Sequence, residues 1–307
     1  TSGTRRPRPE RPWAVANLRC MCRLFALHAG DEDVTAQFWL LDAPDSLAVQ
    51  SERNADGYGL GALSANDGLI LIKNPVKAAA GRTYERVAHA FGGSQFLAHI
   101  RYASNGEPQV QNTHPFAAGG RLFAHNGVLG DLDKIEESLG DYNVLVAGET
   151  DSERYFAFIT KAIHEAGGDI EAGITAAVRE LAAGYELYAI NFLLATRGHI
   201  WAFRYPEQNE LYILDRAAGG PGGGDALEHQ SEAKTLTLKL DDGSDRPVVV
   251  VASERMDDDP GWEEVGVGEL VHIGPDLSIE RKTIVEGPPA KLMQLHGKAS
   301  TSQKQTT

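Results

Sequence analysis

Two amphipathic helix patterns follow one another directly in this chain, and strand-like segments lie on both sides of them. The first pattern, TDSERYFAFITKAIHEAGG, has Thr150 or Asp151 as its N-cap and ends at a Gly pair. The second, GDIEAGITAAVRELAAG, repeats the helical period of apolar residues through Ile170, Ile174 and Val178. A helix pair between two groups of strands does not fit the regular strand and helix alternation of a doubly wound fold.

The strand-like segments are apolar runs bounded by Gly, Pro or polar residues. They are CRLFALHA, GLILIKNP, QFLAHIRYAS and RLFAHNGVL before the helix pair, and ELYAINFLLAT, HIWAFRY, ELYILD, TLTLKL, RPVVVVAS and GELVHI after it. Residues 31–42 predict a further helix, with acidic residues in its first turn and apolar positions at Val34, Phe38 and Leu41. This order predicts an α+β fold in which two sheets carry helices on their outer faces.

Composition excludes several classes of function. The 307 residues carry a formal net charge of −14, which argues against binding to nucleic acid or to an anionic membrane surface. The longest apolar runs, VVVVA and INFLLA, are too short to span a bilayer. A Gly-rich run at residues 217–226 lacks the Lys-Ser/Thr ending of a phosphate loop and predicts a flexible surface loop. A small-molecule ligand is favoured.

The two ends of the chain differ from its middle. Residues 1–21 are rich in Arg and Pro, lack the apolar stretch of a signal peptide and predict a disordered leader that is absent from the active protein. Residues 22–290 form the predicted domain, and residues 291–307 a flexible polar tail. The chain has only two cysteines, two positions apart, so the thiols are reduced or functional and a cytoplasmic location is expected.

Polar residues at the ends of two predicted strands are candidates for chemistry. Arg101 shares a strand face with His99 and needs an anionic partner, either a structural carboxylate or the carboxylate of a ligand. His99, His114 and His125 match no compact zinc pattern, so no metal site is predicted. Asn126 followed by Gly127 is most simply a hairpin turn; the functional alternative is an oxyanion hole.

Cys20 and Cys22 flank Met21 at the start of the first strand. One interpretation is a redox or metal-binding pair. The other is that Cys22 becomes the first residue of the mature chain, once the leader and Met21 are absent. Its thiol would then be a nucleophile and its own α-amine, with an unperturbed pKa near about 7.7–8.0, the base.

Six motifs together resemble a known family. They are MCRLFALHAG, NADGYGLG (residues 54–61), HIRYASNG, NTHPF, LFAHNGVLGD and ETDSE (residues 149–153). In order and spacing they resemble class II glutamine amidotransferases of the N-terminal nucleophile (Ntn) hydrolase superfamily, and among these most of all the stand-alone bacterial members of the YafJ-like type. The resemblance runs from Cys22 through VVVASERMDDDPGW. It implies a four-layer αββα sandwich of two mostly antiparallel sheets.

The resemblance also implies roles. Cys22 would be the nucleophile, Asn126 and Gly127 the oxyanion hole, Arg101 the clamp for the α-carboxylate of glutamine, and Asp151 the partner of its α-ammonium group. Cys22 would attack the side-chain amide and release ammonia, and water would then release glutamate from a γ-glutamyl thioester. No metal or organic cofactor is implied.

Three further positions are implied to lie near the substrate. Ser104 and Asn105 occupy positions where the family often has Thr and His, and His114 matches a position that shapes the pocket.

Alternatives to a simple glutaminase stay open. Related stand-alone enzymes cleave γ-glutamyl bonds in larger amides, including ergothioneine precursors and glutathione-derived dipeptides, and all of these share the γ-glutamyl head. A catalytically silent glutamine-binding module is expected if residues 1–21 persist, because the α-amine of Cys22 is then an amide. No stretch is left over for a synthase domain, so any ammonia-accepting enzyme is expected to be a separate partner.

Overall fold

The computed structural model of the chain describes residues 22–52, 56–64, 68–76, 78, 82–102, 107–217, 246–296 and 300. Its strands, in chain order, are β1 (Arg23–His28), β2 (Val34–Thr35), β3 (Tyr58–Leu63), β4 (Leu69–Asn74), β5 (Gly92–Gly93), β6 (Gln95–Ile100), β7 (Phe116–Ala118), β8 (Arg121–Leu129), β9 (Glu186–Thr196), β10 (His199–Arg204), β11 (Tyr212–Arg216), β12 (Val248–Ala252), β13 (Trp262–Glu264), β14 (Glu269–Ile273), β15 (Ile279–Thr283) and β16 (Lys291–Leu292). The α-helices are α1 (Leu47–Ser51), α2 (Arg82–Ala90), α3 (Leu132–Leu139), α4 (Asp151–Glu165) and α5 (Ile170–Gly184).

The strands form two large sheets. The first has the order β13-β11-β12-β1-β6-β3-β4, and every pairing in it is antiparallel. The second has the order β15-β14-β10-β9-β8-β7, with β16 pairing parallel to β9. Lys291 and Leu292, which the sequence places in the polar tail, therefore belong to this sheet. β2 and β5 form a small separate ladder.

Buried apolar side chains divide the molecule into layers. One cluster lies between the two sheets and includes Leu24 of β1 and Leu193 of β9. A second lies between the second sheet and helices α3, α4 and α5, and a third covers the outer face of the first sheet with Trp39, α1 and α2. Two sheets with helices on their outer faces are the predicted four-layer αββα arrangement, which is confirmed.

The paired helices form where the sequence predicts them. Thr150 caps α4 by accepting the Glu153 N–H at 3.3 Å, and Asp169 caps α5 by accepting the Ala172 N–H at 3.0 Å. The two helices approach closely at Gly173, where a Cβ would lie 2.4 Å from the Ile163 Cα atom. α4 begins at Asp151, so its capped N-terminus carries a carboxylate.

Two local predictions are wrong. Residues 31–42 do not form one helix, because Val34 and Thr35 pair with Gly93 and Gly92, and only Phe38–Asp42 forms a short π-helical turn. Asn126 and Gly127 do not form a hairpin turn, because both lie inside β8 and pair with β9. The TLTLKL segment and the Gly-rich run from residue 218 onward lie outside the described residues, as do residues 1–21.

The topology brings several chain segments to one end of the sandwich. β1 is antiparallel to β6, so Arg23 at the start of β1 lies opposite Ile100 at the end of β6. β8 crosses in the facing sheet and leads through α3 to the start of α4. None of the helices in the described residues is long and apolar enough to cross a bilayer.

Candidate active site

Cys22 lies immediately before β1 and is partly buried. Its Sγ atom accepts a hydrogen bond from the Tyr102 N–H at 3.3 Å and lies 3.2 Å from the Tyr102 carbonyl oxygen, to which the thiol can donate. Its own carbonyl oxygen accepts from Asn126 Nδ2 at 3.1 Å and from Arg23 Nη1 at 3.5 Å. The thiol is therefore fixed between the end of β6 and the middle of β8.

The groups around this thiol shift its pKa in opposite directions. Burial raises the pKa of Cys22, and the negative charge of Asp151 adds to that increase. The hydrogen bond from the Tyr102 amide lowers the pKa, as do the positive charges of Arg101 and Arg23. Burial is the largest of these effects, so an uncharged thiol is favoured until another group takes its proton.

Arg101 follows the last residue of β6 and its side chain is buried. Its Nη1 atom donates to the Glu107 carbonyl oxygen at 3.3 Å, and its backbone N–H donates to the Gly57 carbonyl oxygen at 2.8 Å. Burial lowers the pKa of Arg101, and the nearby negative charges of Cys22, Asp56, Asp151 and Glu107 partly offset this. A buried guanidinium beside the nucleophile is suited to binding a carboxylate.

Asp151 is the first residue of α4 and is also buried. Its Oδ2 atom accepts the Leu129 N–H at 2.9 Å, and its Oδ1 atom accepts the Ser152 N–H at 2.9 Å. These two bonds hold the carboxylate at the end of β8, where its charge acts on both Cys22 and Arg101. A cation and an anion therefore lie close to one thiol, which is what a zwitterionic amino-acid head requires.

Asn126 and Gly127 lie in β8, where Asn126 contacts Cys22. The Asn126 amide reaches the carbonyl oxygen of Cys22, and its Oδ1 atom is buried without a hydrogen-bond donor among the described residues. A Cβ atom at Gly127 would lie 1.8 Å from the Ala189 carbonyl oxygen, so no side chain fits there. The backbone of β8 consequently approaches β9 more closely at this point than any other residue would permit.

Three buried histidines lie close to these residues. The rings of His99 and His114 are 4.2 Å apart between centroids, and the ring of His114 also contacts Phe116. Burial lowers the pKa of His99 to about 3 and lowers the pKa of His114 and of His125. His125 Nδ1 lies 2.9 Å from the Ser152 Oγ atom, next to Asp151. All three rings are therefore neutral near pH 7.

The structure brings most of the predicted site residues together and shows further residues that contact them. Cys22, Arg101, Asn126, Gly127 and Asp151 come together, whereas the ring of His114 contacts that of His99. Ser104 and Asn105 lie outside the described residues. No group of three or more His, Cys, Asp or Glu side chains in the described ranges has a metal-binding arrangement.

Sequence reasoning missed the Tyr102 backbone, Asn112, and the ion pair of buried Arg23 with partly buried Glu254 at 2.6 Å. A charged residue directly after Cys22 was the one sequence signal, and it pointed to Arg23.

The family profile described as class II glutamine amidotransferases matches residues 21–283. The chain belongs to this family. A glutamine–fructose-6-phosphate aminotransferase from Mycobacterium leprae is 27% identical over 257 residues, covering 78% of this chain and 39% of the relative. An uncharacterised protein from Methanocaldococcus jannaschii is 29% identical over 180 residues, covering 56% of this chain and 49% of the relative. This amidotransferase chain thus matches less than half the length of either relative.

Solved structures share the fold. A glutamine aminotransferase class-II domain protein from Silicibacter pomeroyi superposes with a TM-score of 0.55 at 18% identity, covering 85% of this chain and 99% of the other. The glutamine phosphoribosylpyrophosphate amidotransferase of Bacillus subtilis superposes with a TM-score of 0.60 at 18% identity, covering 87% of this chain and 50% of the other. These solved structures therefore share the sandwich fold of this chain.

Proposed function

We propose that this protein is an amide hydrolase that acts on glutamine or on another γ-glutamyl amide, with Cys22 as its nucleophile. The observation that carries the proposal is the convergence of a thiol, a side-chain amide and two opposite charges, contributed by Cys22, Asn126, Arg101 and Asp151. Arg101 would bind the α-carboxylate of the substrate and Asp151 its α-ammonium group. The side-chain amide of the substrate would then extend towards the thiol.

The reaction would proceed through a thioester. The Cys22 thiolate attacks the γ-carbonyl carbon, and the Asn126 amide and Gly127 N–H stabilise the resulting oxyanion. The α-amine of Cys22 accepts the thiol proton and passes it to the leaving nitrogen, so that ammonia or an amine departs. Water then attacks the thioester, the same amine takes its proton, and glutamate leaves with the thiol restored. Because burial raises the pKa of the thiol, this base is essential to the proposal.

A free α-amine requires that the active chain begins at Cys22. The intact mass of the protein purified from its native host tests this directly. Ammonia and glutamate release should then be compared between the chain that begins at Cys22 and the 307-residue chain. We expect turnover only from the first, and none from its Cys22→Ala variant. Turnover by Cys22→Ala would overturn the proposal, and glutamine binding without turnover by both forms would favour a silent binding module.

A substrate series distinguishes glutamine from larger amides. Glutamine, γ-glutamyl dipeptides and γ-glutamyl p-nitroanilide share the head that Arg101 and Asp151 would bind, and they differ only in the leaving group. Asparagine, which is shorter by one methylene, serves as the negative control. The compound with the highest kcat/KM identifies the leaving group that the protein accepts.

A further inference from the structure

Asn112 is a fully buried residue that directly follows an exposed loop segment, residues 107–111. The side chains of Glu107, Gln109, Val110 and Gln111 in this loop are exposed, whereas Asn112 has 0% of its surface accessible. A buried amide is costly unless it is hydrogen-bonded, and this one is bonded at both of its polar atoms. Its hydrogen bonds connect two separate segments of the chain, so they do more than hold its own loop in place.

The first segment carries Arg101. Asn112 Nδ2 donates to the Glu107 carbonyl oxygen at 3.1 Å, and Arg101 Nη1 donates to the same oxygen at 3.3 Å. The amide of Asn112 and the guanidinium of Arg101 therefore share one acceptor. A displacement of the Glu107 carbonyl oxygen would therefore also disturb the hydrogen bond that the Arg101 guanidinium donates to it.

The second segment leads into Asp151. Asn112 Oδ1 accepts the Glu149 N–H at 2.9 Å, and Asn112 Nδ2 lies 3.4 Å from Glu149 Oε2. Glu149 precedes the N-cap Thr150, and Asp151 is the first residue of the helix that follows. Packing is tight here as well, since a Cβ at Gly148 would lie 2.4 Å from Asn112 Oδ1.

We infer that Asn112 is a positioning residue that sets the separation between the Arg101 guanidinium and the Asp151 carboxylate. It bonds to the carbonyl that receives Arg101 and to the peptide that leads to Asp151, and it touches neither the thiol nor the oxyanion groups. It therefore governs affinity for the amino-acid head of the substrate and leaves the chemistry at the amide unchanged. This inference rests on the proposed function.

Asn112→Asp tests the inference, because it keeps the shape and the Oδ1 acceptor but replaces the donor with an oxygen that repels the Glu107 carbonyl and Glu149. The variant is assayed in the form of the chain, full length or beginning at Cys22, in which the unaltered protein hydrolyses glutamine. We expect KM for glutamine and Kd for L-glutamate to rise by about 10-fold or more, with kcat changed by less than about 3-fold. Iodoacetamide, which has no amino-acid head, should alkylate Cys22 at a rate that changes far less than KM does.

Thr113→Val is the matched control. Thr113 is buried next to Asn112, and its Oγ1 donates to the Gln109 carbonyl oxygen at 2.8 Å, a bond confined to the loop. This variant should lose stability without a rise in KM. If it raises KM as much as Asn112→Asp at equal loss of stability, Asn112 is merely structural and the inference is wrong.

Other outcomes are equally decisive. An unchanged KM in Asn112→Asp, or a fall in kcat at constant KM, overturns the inference alone. If Asn112→Asp does not fold, Gly148→Ala decides, because its added methyl group displaces the amide without removing it and should raise KM in the same way. If the unaltered protein neither hydrolyses glutamine or any γ-glutamyl compound of the substrate series nor binds L-glutamate, the proposed function fails and the inference fails with it.

Discussion

The backbone of Tyr102 contacts the Cys22 sulfur through both of its polar groups, with the N–H at 3.3 Å and the carbonyl oxygen at 3.2 Å. Tyr102 is also the residue after Arg101, whose guanidinium lowers the pKa of the same thiol. The dipeptide Arg101–Tyr102, directly after β6, therefore holds the Cys22 thiol in place and carries the proposed carboxylate clamp.

The thiol of the full-length chain should titrate at high pH. Burial raises the pKa of Cys22 above the ordinary 9.0, and Arg23 is one of the charges that oppose this. We expect the rate of Cys22 alkylation by iodoacetamide to reach half its maximum above pH 9.0, and Arg23→Gln to move that midpoint higher. Fragmentation of the labelled peptide in the mass spectrometer distinguishes Cys22 from Cys20, because Met21 lies between them. Arg281→Gln, which removes a surface cation paired with Glu263, is the control and should not shift the midpoint.

Arg101→Lys should weaken substrate binding although it keeps the charge. Lysine has no planar fork and cannot bind a carboxylate while also reaching the Glu107 carbonyl oxygen as Arg101 does. We expect kcat/KM for glutamine to fall by about 10- to 100-fold, mainly through KM. Arg121→Lys, at the start of β8 and away from Asn126 in its middle, is the control. It should keep kcat/KM within about 2-fold if only Arg101 binds the carboxylate through its planar guanidinium. Equal losses in both variants would contradict the role given to Arg101.

The sequence predicts the helix pair and most strands because their signals are local. Thr150 and Asp169 lie at caps, and the apolar period of α4 and α5 is the face that packs on the second sheet. The wrong predictions involve partners distant in the chain. Val34 pairs with Gly93, and Asn126–Gly127 lies in a strand because β9 is its neighbour, although the dipeptide itself is typical of a turn.

The site shows the same limit. Sequence motifs predict its charged residues and Cys22, whereas no motif predicts the contacts that position them. Tyr102 meets Cys22 across 80 residues of chain, and Asn112 meets Glu149 across 37. No periodicity or local motif encodes such pairings, because they depend on which strand ends the two sheets bring together.

Gly127→Ala should be strongly destabilising. Its Cβ would lie 1.8 Å from the Ala189 carbonyl oxygen, a backbone atom that can move only with β9. We expect a loss of about 3 kcal/mol in the free energy of unfolding, measured by urea denaturation. Gly184→Ala is the matched control, because its Cβ meets only the flexible end of Lys134, at 3.5 Å, and helix propensity favours alanine by about 1 kcal/mol or less. Similar losses in both variants would show that β8 and β9 have more room at Gly127 than the structure gives them.

The free energy of unfolding should fall at acidic pH, because buried histidines resist protonation in the folded protein. His99 and His114 are buried, and burial lowers the pKa of His99 from 6.5 to about 3. Between pH 6.5 and about pH 3, His99 binds a proton in the unfolded chain but stays neutral in the folded protein. The stabilisation by neutral His99 is therefore complete above pH 6.5 and is lost as the pH falls towards 3.

His99→Leu removes this proton and should flatten the acid side of the stability curve. The free energy of unfolding, measured in urea at pH 7 down to about pH 4, should fall less steeply than in the unaltered protein, by up to about 1.4 kcal/mol per pH unit. His296→Leu replaces an exposed histidine and should leave the slope unchanged. A slope in His99→Leu equal to that of the unaltered protein would mean that His99 already carries a proton in the folded state. Its ring would then need an anionic partner between the two sheets.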